Sequence, residues 1–175
     1  MKRFHIGFPQ LLSGVVAITV LQGAIASQPA QAQAAYGSYV GVGPTFGLTN
    51  DNTGEGRQIG AVIAFRYKFL EFPVSLRTQA LIGDSVAVVP TVSYDIPLNW
   101  QTDAYVGAGV SFAGTDGTTP SPIGDKTSFA IQPGIDYVIP NSNTVVFGNA
   151  IIAFDAFRNG GGPAFSLQGG VGLKF

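Results

Sequence analysis

The sequence contains no cysteine and only one histidine. Without cysteine, the chain has no disulfide framework, no thiolate nucleophile and no cysteine that could carry a lipid. The single histidine is His5, so the rest of the chain lacks the side chain that most often serves as a general base or a zinc ligand. These absences argue against hydrolase and zinc chemistry, and we expect no catalytic residue, no metal site and no cofactor.

Charge is also scarce in this chain. Charged residues make up 11% of the sequence, whereas a typical soluble domain has about 25%. The formal net charge is −1 and no run of basic residues is present, which argues against nucleic-acid binding. The mean hydropathy is nevertheless positive, at +0.29. An apolar chain of this kind suggests a protein whose apolar residues face outwards.

Long hydrophobic runs are missing as well, apart from one near the N-terminus. Residues 11–25 form an apolar run that is too short for a spanning helix and is preceded by Lys2 and Arg3. Residues 32–34 then supply the small-x-small pattern of a signal-peptidase site. The N-terminus therefore predicts a cleaved signal peptide over residues 1–34 and an exported domain over residues 35–175. Cleavage after Ala32 and an uncleaved membrane anchor are the alternatives.

The exported part divides into segments in which every second residue is apolar, separated by turn-forming residues. There are eight such segments: 36–48, 58–69, 74–83, 86–96, 103–112, 128–137, 144–157 and 165–175. Each has about the length that a tilted strand needs to cross a bilayer. The pattern predicts an all-β fold, a transmembrane eight-stranded antiparallel up-and-down β-barrel. We expect short turns at the end that holds both termini and mostly longer connections at the other.

The two faces of these segments differ in charge. The apolar faces carry essentially no charged residue, which is unlike the exterior of a soluble barrel. The opposite faces carry seven charges: Arg66, Lys68, Arg77, Asp95, Asp103, Asp136 and Lys174. Because unpaired charges are costly away from water, we predict that these seven form a salt-bridge network in the lumen. Two interpretations stay open, a structural plug and a gate in a small pore.

Three prolines and one segment complicate this assignment. Each of Pro44, Pro90 and Pro133 removes a ladder donor inside a segment, so we expect β-bulges near them. In the seventh segment, two sets of apolar residues compete for the exterior. One set is Val145, Phe147 and Ile151, and the other is Val146, Ile152 and Phe154. We favour the second set, because it directs Asn149 and Asp155 into the lumen.

Aromatic residues and the last strand sharpen the prediction. One band is expected near the short-turn end: Tyr36, Tyr67, Phe69, Tyr94, Trp100, Tyr137 and Phe175. A second band is expected at the other end: Phe46, Phe112, Phe129, Phe154 and Phe165. Two bands are typical of the aromatic girdles of membrane barrels. The last strand alternates as far as Leu173 and Phe175, which we interpret as an outer-membrane insertion signal.

Three stretches carry a resemblance to a known group: YVGAGVSF at residues 105–112, YVGVG at 39–43 and GVGLKF at 170–175. They resemble the small eight-stranded outer-membrane proteins of the OmpA transmembrane domain, OmpX and opacity-protein (porin family) group. The resemblance implies location in the cell outer membrane, contact with its lipid and insertion by the barrel-assembly machinery. It implies a non-enzymatic structural or surface-adhesive role, with a small porin-like channel as the alternative. The sequence assigns no surface ligand.

Overall fold

Eight antiparallel strands close into one barrel in the computed structural model. The structure describes residues 37–50, 57–114, 121–158 and 162–175, so the predicted signal peptide and Tyr36 lie outside the described residues. The strands are β1 (Tyr39–Gly47), β2 (Ile59–Lys68), β3 (Val74–Ile82), β4 (Val86–Asn99), β5 (Thr102–Ala113), β6 (Ser128–Val138), β7 (Thr144–Ala153) and β8 (Ala164–Lys174). In the part of the chain that is described, no helix is long and apolar enough to span a bilayer.

Consecutive strands are neighbours around the whole barrel. β8 pairs with β1 through a register that includes Val40 with Leu173 and Thr45 with Gln168, and this pairing closes the sheet. Closure leaves no strand edge with unpaired backbone groups. The predicted all-β, eight-stranded antiparallel barrel is therefore confirmed. We call the end with the connections 69–73, 100–101 and 139–143 the short-turn end, and the other end the long-connection end.

Alternation along each strand separates an apolar exterior from a filled lumen. On β1, Val40 and Val42 are exposed, whereas Tyr39 and Thr45 are buried. The same alternation appears in the burial patterns of the other strands. Successive side chains of a strand point to opposite faces, so a period of two in the sequence becomes an inside and an outside.

The expected bulges at the three prolines are absent from the described ladders, and this prediction was wrong. Pro44 pairs with Ala61 on one side, and on the other side the β1–β8 ladder is interrupted and resumes in the same register. Pro90 and Pro133 show the same one-sided interruption. Proline lacks only an N–H, so losing pairing on one side accommodates it without an extra residue. A register shift occurs instead between Pro97 and Asn99, where β4 runs beyond its predicted end.

The seventh strand is shorter than predicted, and one of its expected lumen residues lies outside the barrel. Val146 and Phe154 are exposed and Asn149 is buried, as expected for the favoured set. The strand ends at Ala153, however, and Asp155 follows it with a φ of +54°. Its side chain is 73% exposed and pairs with Lys126, so Asp155 does not enter the lumen. The chain turns away after Ala153, which ends the alternation on which the prediction depended.

Candidate functional site

Among the described residues, the largest group of bonded charged side chains lies inside the barrel, towards the short-turn end. Arg66, on the inner face of β2, has a side chain that is only 1% exposed. Its Nη2 donates to Asp95 Oδ2 at 2.7 Å and to Asp103 Oδ2 at 3.1 Å, and its Nη1 donates to Asp136 Oδ2 at 3.0 Å. Its Nε donates to Ser75 Oγ at 3.1 Å. One guanidinium thus joins carboxylates from β4, β5 and β6.

Arg77 on β3 makes a second set of bonds beside the first. Its Nη2 lies 3.2 Å from Asp95 Oδ1 and 2.9 Å from Asp136 Oδ2, and its Nε donates to Ser93 Oγ at 2.9 Å. The guanidinium carbon is 3.3 Å from the centre of the Tyr105 ring, which is the geometry of a cation–π contact. Two arginines therefore share two aspartates, and a planar fork with several donors suits this bridging role.

Polar neighbours add hydrogen bonds to the carboxylates, although Asp103 Oδ1 has no partner in the described structure. Lys68 Nζ lies 3.1 Å from Asp103 Oδ2, and the Tyr39 hydroxyl donates to Asp136 Oδ1 at 3.0 Å. The Ser75 hydroxyl donates to Asp95 Oδ2. Charges away from bulk water are tolerated when they are both paired and hydrogen-bonded, and each of the three carboxylates is bonded to at least one cation.

The structure brings six of the seven predicted lumen charges together, and we call these six the ion cluster. Its members are Arg66, Lys68, Arg77, Asp95, Asp103 and Asp136. Three cations face three anions, so the formal charge of the ion cluster is zero. The seventh residue, Lys174 near the end of β8, is partly exposed and makes no ion pair among the described residues.

Sequence reasoning missed the polar side chains that support the ion cluster. Tyr39, Tyr105, Ser75 and Ser93 all face inwards and contact its charged groups. The available signal was strand pairing, because Arg66 pairs with both Tyr39 and Arg77, and Ser75 pairs with Lys68 and Ser93. Choosing that register from the sequence alone requires the turn geometry, which alternation does not supply.

A second polar group lies further from the short-turn end, and we call it the amide layer. It consists of Gln79, Gln132, Asn149 and Gln168, all facing inwards and at least nine-tenths buried. Gln79 lies two residues beyond Arg77 on β3, and Gln132 lies four residues before Asp136 on β6. Gln132 Oε1 accepts a hydrogen bond from Thr91, and Gln168 Nε2 donates to Ser166. Other side-chain atoms of the layer have no hydrogen-bond partner in the described structure: Gln79 Oε1, Gln132 Nε2, Asn149 Oδ1 and Nδ2, and Gln168 Oε1.

Large side chains occupy the space beside the inward glycines. A Cβ on Gly41 would lie 2.7 Å from the Phe147 ring, and Phe147 stacks on Tyr39 with ring centres 5.9 Å apart. The Tyr105 ring fills the corresponding space beside Gly134. These glycines make room for aromatic neighbours.

The described residues contain no group of three His, Cys, Asp or Glu side chains arranged to hold a metal ion. The three lumen aspartates are instead bonded to Arg66, Arg77 and Lys68. The arrangement is suited to holding strands together and filling the lumen.

The exterior carries the predicted aromatic residues. Tyr36 lies outside the described residues, and every other member of the two predicted bands is exposed. Leu173 is 65% exposed and Phe175 is 72% exposed. The backbone N–H of Phe175 donates to the Ser38 carbonyl at 3.0 Å, and the Phe175 ring stacks on Phe65 of β2 at 6.2 Å. The C-terminal residue thus reaches across β1 and contacts the strand beyond it.

Comparison with known proteins supports the barrel architecture. The support comes from solved structures and not from sequence matches. Neisserial surface protein A (NspA) has a similar structure, with a TM-score of 0.53 and 16% identity over 79% of this chain and 97% of that chain. The fold is that of the small eight-stranded outer-membrane barrels. The resemblance read from the sequence is therefore confirmed for the fold.

Two further structures are similar at lower TM-scores. Ail, the attachment invasion locus protein of Yersinia pestis, has a TM-score of 0.47 at 17% identity, covering 79% of this chain and 96% of that chain. A de novo designed transmembrane β-barrel also has a TM-score of 0.47, at 13% identity over 79% and 94% of the two chains. No protein-family profile matches the sequence, and no curated protein is similar to it.

Proposed function

We propose that this chain is an integral outer-membrane β-barrel protein of a Gram-negative-type cell, with a structural or surface-adhesive role and a plugged lumen. It is exported by a signal peptide over residues 1–34, and residues 35–175 form the barrel domain. The role is non-enzymatic, which agrees with lumen carboxylates that each bond to a cation.

The observation that carries the proposal is the inverted polarity of the barrel. Its ionised core, Arg66 with Asp95, Asp103 and Asp136, lies inside and is at most 1% exposed. Its exterior is a continuous belt of exposed Val, Ile, Leu and Phe side chains, of which Val106 is one example. An exposed apolar belt of this size is stable in hydrocarbon and aggregates in water.

The expected partners of the protein follow from its apolar exterior and charged interior. Outer-membrane lipid contacts the apolar belt, and the short-turn end faces the periplasm, as is typical of such barrels. Leu173 and Phe175 form the signal that the barrel-assembly machinery reads during insertion. The longer connections face outwards and present the surface available for adhesion, since loops on a rigid scaffold often carry binding.

The test of the barrel is refolding into phospholipid vesicles, followed by electrophoresis of boiled and unboiled samples. The unboiled protein is expected to migrate differently from the boiled protein, because a closed barrel resists detergent unfolding. Identical mobility, or a protein that stays monomeric in buffer without lipid or detergent, contradicts the proposal.

A small porin-like channel is the second candidate, and the amide layer is the observation that favours it. Gln132 Nε2 and both amide atoms of Asn149 lack partners inside the barrel, which is compatible with water in the lumen. Single-channel recordings in planar bilayers distinguish the two roles. Wild-type protein is expected to give no conductance across many confirmed insertions. Steady channels that change with Asp103→Asn support the porin alternative instead.

A further inference from the structure

One connection at the long-connection end crosses the mouth of the barrel. We call residues 121–125 the strap. At one side, Pro122 lies next to Gly83, since a Cβ built on Gly83 would be 3.1 Å from Pro122 Cγ. At the other side, Gly124 packs against the backbone and side chain of Ala156. Gly83 follows β3 and Ala156 follows β7, and these strands are four places apart in a ring of eight. The strap therefore joins opposite sides of the barrel.

Backbone hydrogen bonds fix the strap on the β7 side. The N–H groups of Asp125 and Lys126 both donate to the Ala156 carbonyl, at 3.0 and 3.1 Å. Asp125 Oδ1 accepts a bond from the N–H of Arg158 at 2.8 Å. Within the strap, Ser121 and Gly124 exchange two backbone bonds of 2.9 and 3.0 Å. This is an ordered turn, held at several points.

The centre of the strap is an apolar side chain directed into the barrel core. Ile123 is 0% exposed and belongs to the same buried cluster as the inward-facing residues of the strands. That cluster includes Val62, Leu81, Val89 and Ile151. Membership of this buried cluster places Ile123 over the lumen, where its side chain acts as an apolar stopper.

The amide layer lies between this stopper and the ion cluster. Asn149 has neither amide atom bonded, and Gln132 Nε2 and Tyr105 Oη are also without partners in the described structure. Native proteins rarely leave several buried polar atoms unbonded at one place, and ordered water is the usual partner. Several such atoms grouped in one part of the lumen therefore indicate a hydrated space.

We propose that the amide layer is a water-binding chamber and that the strap is its lid, which separates the chamber from the medium at the outer mouth. The proposal rests on the plugged lumen described under Proposed function and adds the part that controls access from outside. Displacing the strap connects the amide layer to external water and leaves the ion cluster intact.

Thiol labelling tests the lid, because the natural chain has no cysteine. Asn149→Cys places a single thiol in the amide layer and removes no hydrogen bond present in the structure. Asp84→Cys, in the exposed turn after β3, gives the reference rate. Refolded protein is treated with a small cationic methanethiosulfonate reagent, and the reaction is followed by intact mass spectrometry.

The strap is opened by Gly124→Ala in the Asn149→Cys background. Gly124 has a φ of +105°, and a Cβ there would collide with Ala156, so alanine cannot keep the present conformation. We expect labelling of Asn149→Cys to become about tenfold faster. Gly162→Ala is the matched control, because a Cβ on Gly162 meets nothing within 4 Å.

A second variant, Ile123→Asp, replaces the apolar side chain of the strap with a carboxylate. It is expected to raise the labelling rate of Asn149→Cys roughly a hundredfold.

The outcomes separate this inference from the proposed function. Slow labelling with the strap intact, accelerated by Gly124→Ala or Ile123→Asp but not by Gly162→Ala, supports the lid. Slow labelling in all the variants, each confirmed as folded by its unboiled mobility, overturns the lid and leaves the plugged barrel standing. Labelling of Asn149→Cys at the Asp84→Cys rate without any strap variant overturns both.

Water in the chamber has a direct readout by NMR in detergent micelles. Cross-relaxation between long-lived water and the side-chain amide protons of Gln132 and Asn149 is expected in the wild-type protein. Its absence, with those amide signals assigned and visible, overturns the water-binding part of the proposal.

Discussion

The two halves of the lumen are closed by different chemistry. Towards the short-turn end, the ion cluster joins β2 to β6 through charged hydrogen bonds, with every member supplied by a strand. Towards the long-connection end, the interior has an amide layer with unbonded atoms and an apolar region, to which the strap adds Ile123. The first half is fixed by many directional bonds, and the second by packing and one connection.

This difference between the two halves indicates which part of the lumen can rearrange most easily. Breaking one member of the ion cluster leaves other buried charges without partners, so this half resists rearrangement. The strap is held by local backbone bonds near Ala156 and by apolar contact, which local opening can release at lower cost. We therefore expect substitutions in the two halves to differ in effect.

The largest effect is expected from Arg66→Ala. The change removes the cation that bonds to Asp95, Asp103 and Asp136 and leaves buried carboxylates underpaired. It should lower the free energy of unfolding by about 3–5 kcal/mol. Urea titration in phospholipid vesicles, followed by the fluorescence of the single tryptophan, Trp100, measures this loss.

Lys174→Ala is the matched control for Arg66→Ala. Lys174 was predicted in the same network but forms no ion pair with a described residue. We expect a change within about 0.5 kcal/mol, as for a surface substitution. Equal losses for the two variants contradict the special role assigned to the ion cluster.

The next effect concerns the exterior of the barrel. The comparison of the two lumen halves assumes that this outer face meets lipid. Val106→Arg places a charge on the apolar belt, where Val106 is 52% exposed. The expected loss is about 2–4 kcal/mol if the position lies near the bilayer midplane. Refolding equilibria in vesicles measure it, with Val106→Leu as the size control. No loss on Val106→Arg means that this face does not meet lipid.

Two hydroxyl deletions compare the halves directly. Ser75→Ala removes bonds to Asp95 and Arg66 in the ion cluster, and hydrogen bonds to charged groups contribute about 1.5–3 kcal/mol. Thr91→Val removes a neutral bond to Gln132 in the amide layer, for which about 0.5–1.5 kcal/mol is expected. Both residues are almost fully buried, so the same unfolding assay applies. A larger loss for Thr91→Val reverses our ranking of the halves.

The sequence predicted the strand-borne half of the lumen well. A period of two assigns each residue to a face, and that assignment holds for Arg66, Arg77, Asp95, Asp103 and Asp136. Because the chain has few charged residues, these five stand out in the sequence as charges on the inner faces. The pattern does not say which charges meet, because pairing depends on register, and so it gave no reason to set Lys174 apart.

The other half could not be predicted, because its closure depends on contacts outside the strands. Residues 121–125 have no periodicity, and their neighbours Gly83 and Ala156 are distant in sequence. Asp155 was misplaced for the same reason, since it follows the last residue of β7. The ladder interruptions at Pro44, Pro90 and Pro133 depend on which side each missing N–H faces, and residue type alone does not specify that.

The smallest effect is expected where an ion pair lies outside the lumen. Lys126 pairs with Asp155 beside the strap, where the two side chains are 42% and 73% exposed. Lys126→Met should therefore change the free energy of unfolding by only about 0.2–1 kcal/mol, and less at high salt because exposed pairs are screened. Lys68→Met is the matched variant within the ion cluster, where Asp103 is 0% exposed, and its larger loss should persist in salt. Unfolding curves of both variants, measured at low and high ionic strength, test these two expectations. If the Lys68→Met loss also disappears in salt, solvent reaches the ion cluster, and the two halves do not differ as we describe.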